Sequence, residues 1–378
     1  MGSWLERQKN DPIPWLMEKA CPPIKFRIQT EIMGLPGDDV DVAATRNETY
    51  NYKPPYSIST SQSDDGTWFT SLAGFDHLNL NRKRGPGTLF QYRSLVEYGW
   101  GTDHPIVWRT SELLQGLMWQ DPSVDLCELK GYCGGDPAVE AYIRRMLAQR
   151  ALALLARSNF ADDIGVKRKT AEVLDALDAF YQGDVHSKIY TGELIREIET
   201  DDGPQDETCA VISPDAFRPE YWIFMLFGRN PALKDDPRAK DVLRRIVDYM
   251  FSNPIPEVEV LEVGGKVFDR FAEFSIRNLE QEDFEEKKLV GRLLQELEFL
   301  ARTGVLEDIP KAKAMLEWLM SLQDDEGVVR AEEFIEKAGH RLDYSYFPLE
   351  DNWRGKHKKF TDVTFRLLLI LSILDGKS

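Results

Sequence analysis

One ruler is laid down twice in this chain. Gly99 to Asp103 spans four residues, as does Gly304 to Asp308, and Asp103 to Leu117 spans fourteen, as does Asp308 to Leu322. In each copy a segment with apolar residues at helical spacing stops at a glycine, and a second such segment follows. Thr88 to Tyr98, with Leu89, Tyr92, Leu95 and Val96 on one face, leads into Ile106 to Trp119, with Leu113, Leu114 and Leu117 facing inward. A looser copy runs from Tyr221 to Gly228 and then from Asp236-Pro237 to Met250; a fourth runs from Ala141 through Asp163 to Tyr181. A helical hairpin cannot bury its apolar face alone, so repeated hairpins must pack on one another. The last segment, Thr361 to Leu374, is apolar nearly all round and is expected to be buried, which favours closure of the hairpins into a ring over an open array. Insertions at 182–215, 254–265 and 323–360 break the spacing and read as long loops crowding one rim.

Ahead of the hairpins, Asp11-Pro12 starts a helix over Ile13 to Ala20, with aspartate as cap and proline in the first turn. A second helix is predicted over about Ile24 to Met33, stopped by Gly34. Residues 36–66, rich in Asp, Asn, Ser, Thr and Pro, read as a long ordered loop pinned by Tyr50, Tyr52 and Tyr56.

Composition removes several function classes. A net charge of −17 argues against nucleic acid as a partner, because phosphate binding needs clustered positive charge. Hydrophobic content of 42% with 9 Trp, 13 Tyr and 19 Phe is that of a chain with a large core. Cys21, Cys127, Cys133 and Cys209 form no C-x-x-C pair and read as reduced thiols. No apolar leader and no run approaching 18 apolar residues is visible, so the expected setting is the cytoplasm, with no transmembrane segment.

Gln62-Ser-Asp-Asp-Gly-Thr-Trp68 and its degenerate echo Gln323-Asp-Asp-Glu-Gly327-Val-Val bracket the hairpins. With the hairpin spacing, these Q-x-x-[DE]-G turns resemble the repeat of the squalene–hopene cyclase and protein prenyltransferase β-subunit superfamily. The resemblance implies an all-α fold, an α/α toroid (barrel) of paired helices with an N-terminal helical segment (residues 1–61) and long rim loops, the toroid domain occupying 62–378 and packed with it as one unit. It implies that Gln62 and Trp68 are structural, tying one helix end to the next repeat with the indole stacked on the amide. It also implies a terpenoid cyclase-like or prenyltransferase-like protein that acts on or binds an apolar isoprenoid in a central cavity. The alternatives are a carbohydrate-active lyase or hydrolase, and a non-catalytic protein binding a lipid, peptide or protein partner.

The catalytic signatures of that superfamily are mostly missing. A prenyltransferase-type zinc site needs a histidine where Phe365 stands, and the one D-x-C, Asp125-Leu-Cys127, comes too early; no metal and no cofactor is expected. Glu199-Thr-Asp201-Asp202 looks like a solvated loop, and Asp235-Asp236-Pro-Arg-Ala-Lys-Asp241 like a helix start. The densest group of reactive side chains is His340, Tyr344, Tyr346 and Trp353, just ahead of the closing helix; with Asp362 they supply acids and bases, and His340, Tyr344, Tyr346 and Asp362 are the candidate catalytic residues. Arg82 and Arg84 precede a helix start and suit an anionic ligand such as a diphosphate or uronate. Tyr92, Tyr221, Trp222, Trp353 and Arg366 complete the candidate substrate-binding set, and Asp362 and Arg366 are one helical turn apart.

Overall fold

The computed structural model describes residues 3–68, 72, 87–126, 135–200, 203–234, 236–253, 256, 258–270, 274–330, 332–334 and 348–376. Helix α1 (Ile13–Lys19) starts where Asp11 Oδ1 accepts from Ile13 N at 2.9 Å. Helix α2 (Pro22–Arg27) runs on as a π-helical turn over Ile28–Ile32. The stretch read as a loop instead carries two helices, α3 (Val40–Tyr50) and α4 (Lys53–Thr60). Asp39 caps α3 by accepting from Asp41 N and Val42 N, and proline occupies the first turn of α4. Only Val42 and Thr49 of α3 are buried, so its amphipathic signal is faint in a polar sequence.

The hairpins follow as α5 (Thr88–Glu97) with α6 (Pro105–Met118), and α7 (Pro137–Arg157) with α8 (Ile164–Phe180). After the short α9 (Val185–Ile189) come α10 (Tyr221–Arg229), α11 (Pro231–Lys234) and α12 (Pro237–Ser252). Helix α13 (Gln281–Glu286) leads to α14 (Val290–Arg302), α15 (Pro310–Ser321) and the last helix, α16 (Lys358–Leu374). Helix α5 packs on α7, α7 on α10, α10 on α14 and α14 on α16, which also meets α2. Every residue of α16 from Phe360 to Ser372 is buried, as its all-round apolarity predicts. One buried apolar cluster extends from Trp4 to Leu371.

The all-α toroid expectation is corrected by a four-stranded mixed sheet in the order β1-β2-β3-β4. Strand β1 (Tyr190–Thr200) pairs antiparallel with β2 (Gly203–Ile212), β2 runs parallel to β3 (Glu259–Val263), and β3 returns antiparallel as β4 (Lys266–Arg270). Two of the segments read as rim loops, 182–215 and 254–265, supply β1, β2 and β3, and β4 follows directly on the second. Gly264 and Gly265 take φ of +59° and +69°, the left-handed pair that a tight hairpin turn requires. Along β1, charged residues dilute the two-residue alternation that would otherwise mark a strand.

The two Q-x-x-[DE]-G turns have the same hydrogen-bond pattern. Ser63 N donates to Thr67 O as Asp324 N does to Val328 O, both at 2.9 Å, and Gly66 and Gly327 both have positive φ. Trp68 N donates to Thr88 Oγ1 and Val329 N to Thr364 Oγ1, each at 3.0 Å, so each turn is pinned to a buried helix that follows it. Gln62 Nε2 reaches Ile106 O and Thr110 Oγ1, and the fully buried Trp68 donates from Nε1 to Ile58 O at 2.8 Å. No helix among the described residues is long and apolar enough to cross a membrane.

Candidate functional site

Helices α7, α10 and α14 each end on an arginine: Arg157, Arg229 and Arg302. A helix C-terminus carries partial negative charge, so a cation in its last turn is favoured. The carboxylates that meet these arginines come from other elements, save Glu298, which lies one turn before Arg302 on α14. Glu298 of α14 accepts from Arg302 at 2.8 Å, Arg366 at 2.9 Å and Arg229 at 3.3 Å. Glu31 pairs with Arg302 at 2.8 Å and with Arg27, which also reaches Glu97 at 3.0 Å; Glu97 in turn pairs with Arg157. Burial pushes the Glu298 carboxyl up, but Arg302, Arg366, Arg27 and Arg229 outweigh it and hold the group far below the usual carboxylate range. Burial raises Glu97 too, and Arg157 and Arg27 bring it to about 2. These acids are therefore ionised, and they lock the arginines in place.

Arg302 is also a wall of an open cleft of about 390 Å³, a volume suited to a small ligand. Phe227, Leu233, Leu243, Val305 and Ile373 form its apolar surface, and its charged lining is Lys234, Lys240, Arg244 and Arg302 with one acid, Asp308. Gly228 lets α10 approach α14 here, because a Cβ at that position would stand 2.9 Å from Arg302 Cβ. Gly304, with φ of +75°, turns the chain sharply after α14 and carries Val305 into the cleft.

The residues singled out in the sequence fall elsewhere. His340, Tyr344, Tyr346, Arg82 and Arg84 lie outside the described residues, as do Cys127, Cys133, Asp201, Asp202 and Asp235. Asp362 and Trp353 do come together: Asp362 Oδ2 accepts from Trp353 Nε1 at 3.0 Å, Leu349 N at 2.9 Å and Glu350 N at 3.4 Å. Asp362 thus ties the 349–353 loop to α16, and burial pushes its carboxyl up against the pull of Arg366. Arg366 joins the interior network through Glu298. Tyr92 bonds Ser111 and Ser158; Tyr221 donates to Glu296 Oε1 at 3.1 Å and stacks on Phe299; Trp222 is buried beside them on α10. These side chains are spread over several packing sites and do not line the cleft.

Sequence reasoning missed the cleft cations. The available signals were three helices ending in arginine before a polar turn and the basic residues flanking Asp235-Asp236, where only the acids had drawn notice. No protein-family model, curated protein or solved structure matches the chain.

Proposed function

We propose that the protein binds a small amphiphile with an anionic head and an apolar body, of the prenyl diphosphate class, in the cleft between α10, α12, α14 and α16. One observation carries the reading: four cations against one acid beside an apolar wall, in a chain of net charge −17. Among the described residues Lys234 makes no ion pair and Arg244 has only Asp241 at 4.0 Å, so both cations are available to an anion. Arg302 is held by Glu31 and Glu298 and needs little reordering to meet the head group. The apolar side chains then shelter the tail from water. Buried free thiols at Cys21 and Cys209 support a reducing, cytoplasmic setting.

Calorimetric titration with geranyl diphosphate, geraniol and inorganic pyrophosphate tests the reading. The intact amphiphile should bind at least tenfold more tightly than either half alone. Equal binding of geraniol would remove the cations from the account, and equal binding of pyrophosphate would remove the apolar wall.

A further inference from the structure

The ribbon of β1 and β2 runs past the rest of the sheet. Strand β2 meets β3 only over Ala210, Val211 and Ile212, whereas β1 pairs with β2 from Tyr190 opposite Ile212 to Thr200 opposite Gly203. Strand β1 is outermost in the sheet order, and its 11 residues are about twice the usual strand length. An outer strand of that length presents a row of backbone donors and acceptors with which another chain can pair, and proteins commonly keep such edges short or cover them. One face of the ribbon is open to solvent. Glu193, Ile195 and Glu197 share it by the two-residue alternation, Thr208 and Asp206 of β2 stand opposite the last two, and all five are exposed. Ile195, at the centre, is 67% exposed. Residues 190–212 hold seven acids and one cation, Arg196, which lies on the other face and is held by Glu207 at 2.7 Å.

We propose that the outer edge of β1 docks an extended basic segment of a partner protein, which adds as a strand with a β-branched residue beside Ile195 and lysine or arginine beside Glu193 and Glu197. Backbone hydrogen bonds extend the ladder, and the alternate side chains choose the partner. Charge selects this occupant over a second copy of the chain. Antiparallel pairing of β1 with its own copy about Ile195 sets Glu193 opposite Glu197 twice, and like charges directly opposed are destabilising. The inference does not rest on the cleft reading, because no residue of the sheet lines the cleft.

The probe is a fluorescein-labelled peptide, Thr-Lys-Thr-Val-Thr-Lys-Thr, followed by fluorescence anisotropy at physiological ionic strength. The parent should bind it saturably, and glutamate in place of both lysines should abolish binding. The same peptide N-methylated throughout keeps its charge but cannot donate to the ladder, and it should bind at least tenfold more weakly; this comparison leaves the protein unaltered. Glu193→Lys with Glu197→Lys should weaken binding at least tenfold. Glu282→Lys with Glu286→Lys, an equal change of net charge at exposed positions of α13, should bind as the parent does. Full binding of the N-methylated peptide, full binding by the folded Glu193→Lys, Glu197→Lys variant, or no saturable binding by the parent would each overturn the proposal. So would a parent that sediments as a dimer and falls to a monomer in that variant, which would give the edge to a second copy.

Discussion

Glu298 gathers Arg302, Arg366 and Arg229 by hydrogen bonds and has Arg27 at 3.9 Å, which makes it the single side chain on which the interior charges most depend. Glu298→Gln removes the charge and leaves those arginines buried with too little compensation, at a cost of about 3–5 kcal/mol. Chemical denaturation reads this directly, and a variant as stable as the parent would show that the network does not hold the helix ends together. Glu350 behaves in the opposite sense. Burial and the neighbouring Asp362 raise its carboxyl to about 7, while Cys21 N and Thr361 Oγ1 donate to its Oε1 at 3.0 and 2.8 Å. A folded-state pKa above the unfolded one means stability that is whole below about 4.5 and drains away as pH rises through about 7. Asp362, also raised by burial, adds to the same trend. The loss is on the order of 3 kcal/mol, so Tm should fall between pH 5 and 8, and Glu350→Gln, which keeps the acceptor, should flatten that fall. A parent Tm that rises over this range would refute the assignment. Trp68→Ala removes a fully buried indole and the Ile58 hydrogen bond, and unfolding should become easier by about 3–5 kcal/mol.

Elements differ in how plainly the sequence announces them. Helices α5, α6, α14, α15 and α16 are legible because leucines at helical spacing are bounded by glycine or proline, and the backbone has no better way to bury them. Helices α3 and α4 are hidden by polar composition: α3 is held by its Asp39 cap and two buried residues, so no stripe betrays it. The sheet is hidden for a different reason. Strands β1 and β2 carry Glu193, Glu197, Asp206 and Glu207, which read as a solvated insertion, while the pairing partner that orders the base of the hairpin, β3, is almost fifty residues further on (Ala210 against Glu259). Register of that kind is a tertiary fact. The site was the least legible part, since Lys234 on α11, Arg244 on α12 and Arg302 on α14 are brought to one cleft only by the packing of α10 on α14. Local spacing shows none of this.

At the scale of the whole molecule, an acidic protein has concentrated cations where helices end. The last turns of α7, α10 and α14 carry Arg157, Arg229 and Arg302, Glu31 and Glu298 fix Arg302, and the cleft beyond it adds Lys234, Lys240 and Arg244 beside apolar side chains. Rising salt should weaken ligand binding there, because the rim cations are exposed to screening. The most direct test is a titration of geranyl diphosphate into the parent protein and into the double variant Lys234→Glu, Arg244→Glu. Both positions are at the rim and outside the interior network, so the fold should be kept. The account predicts saturable binding by the parent and at least a hundredfold weaker binding by the variant, about 2.7 kcal/mol. Equal affinity in the two proteins, or none in the parent, would contradict it.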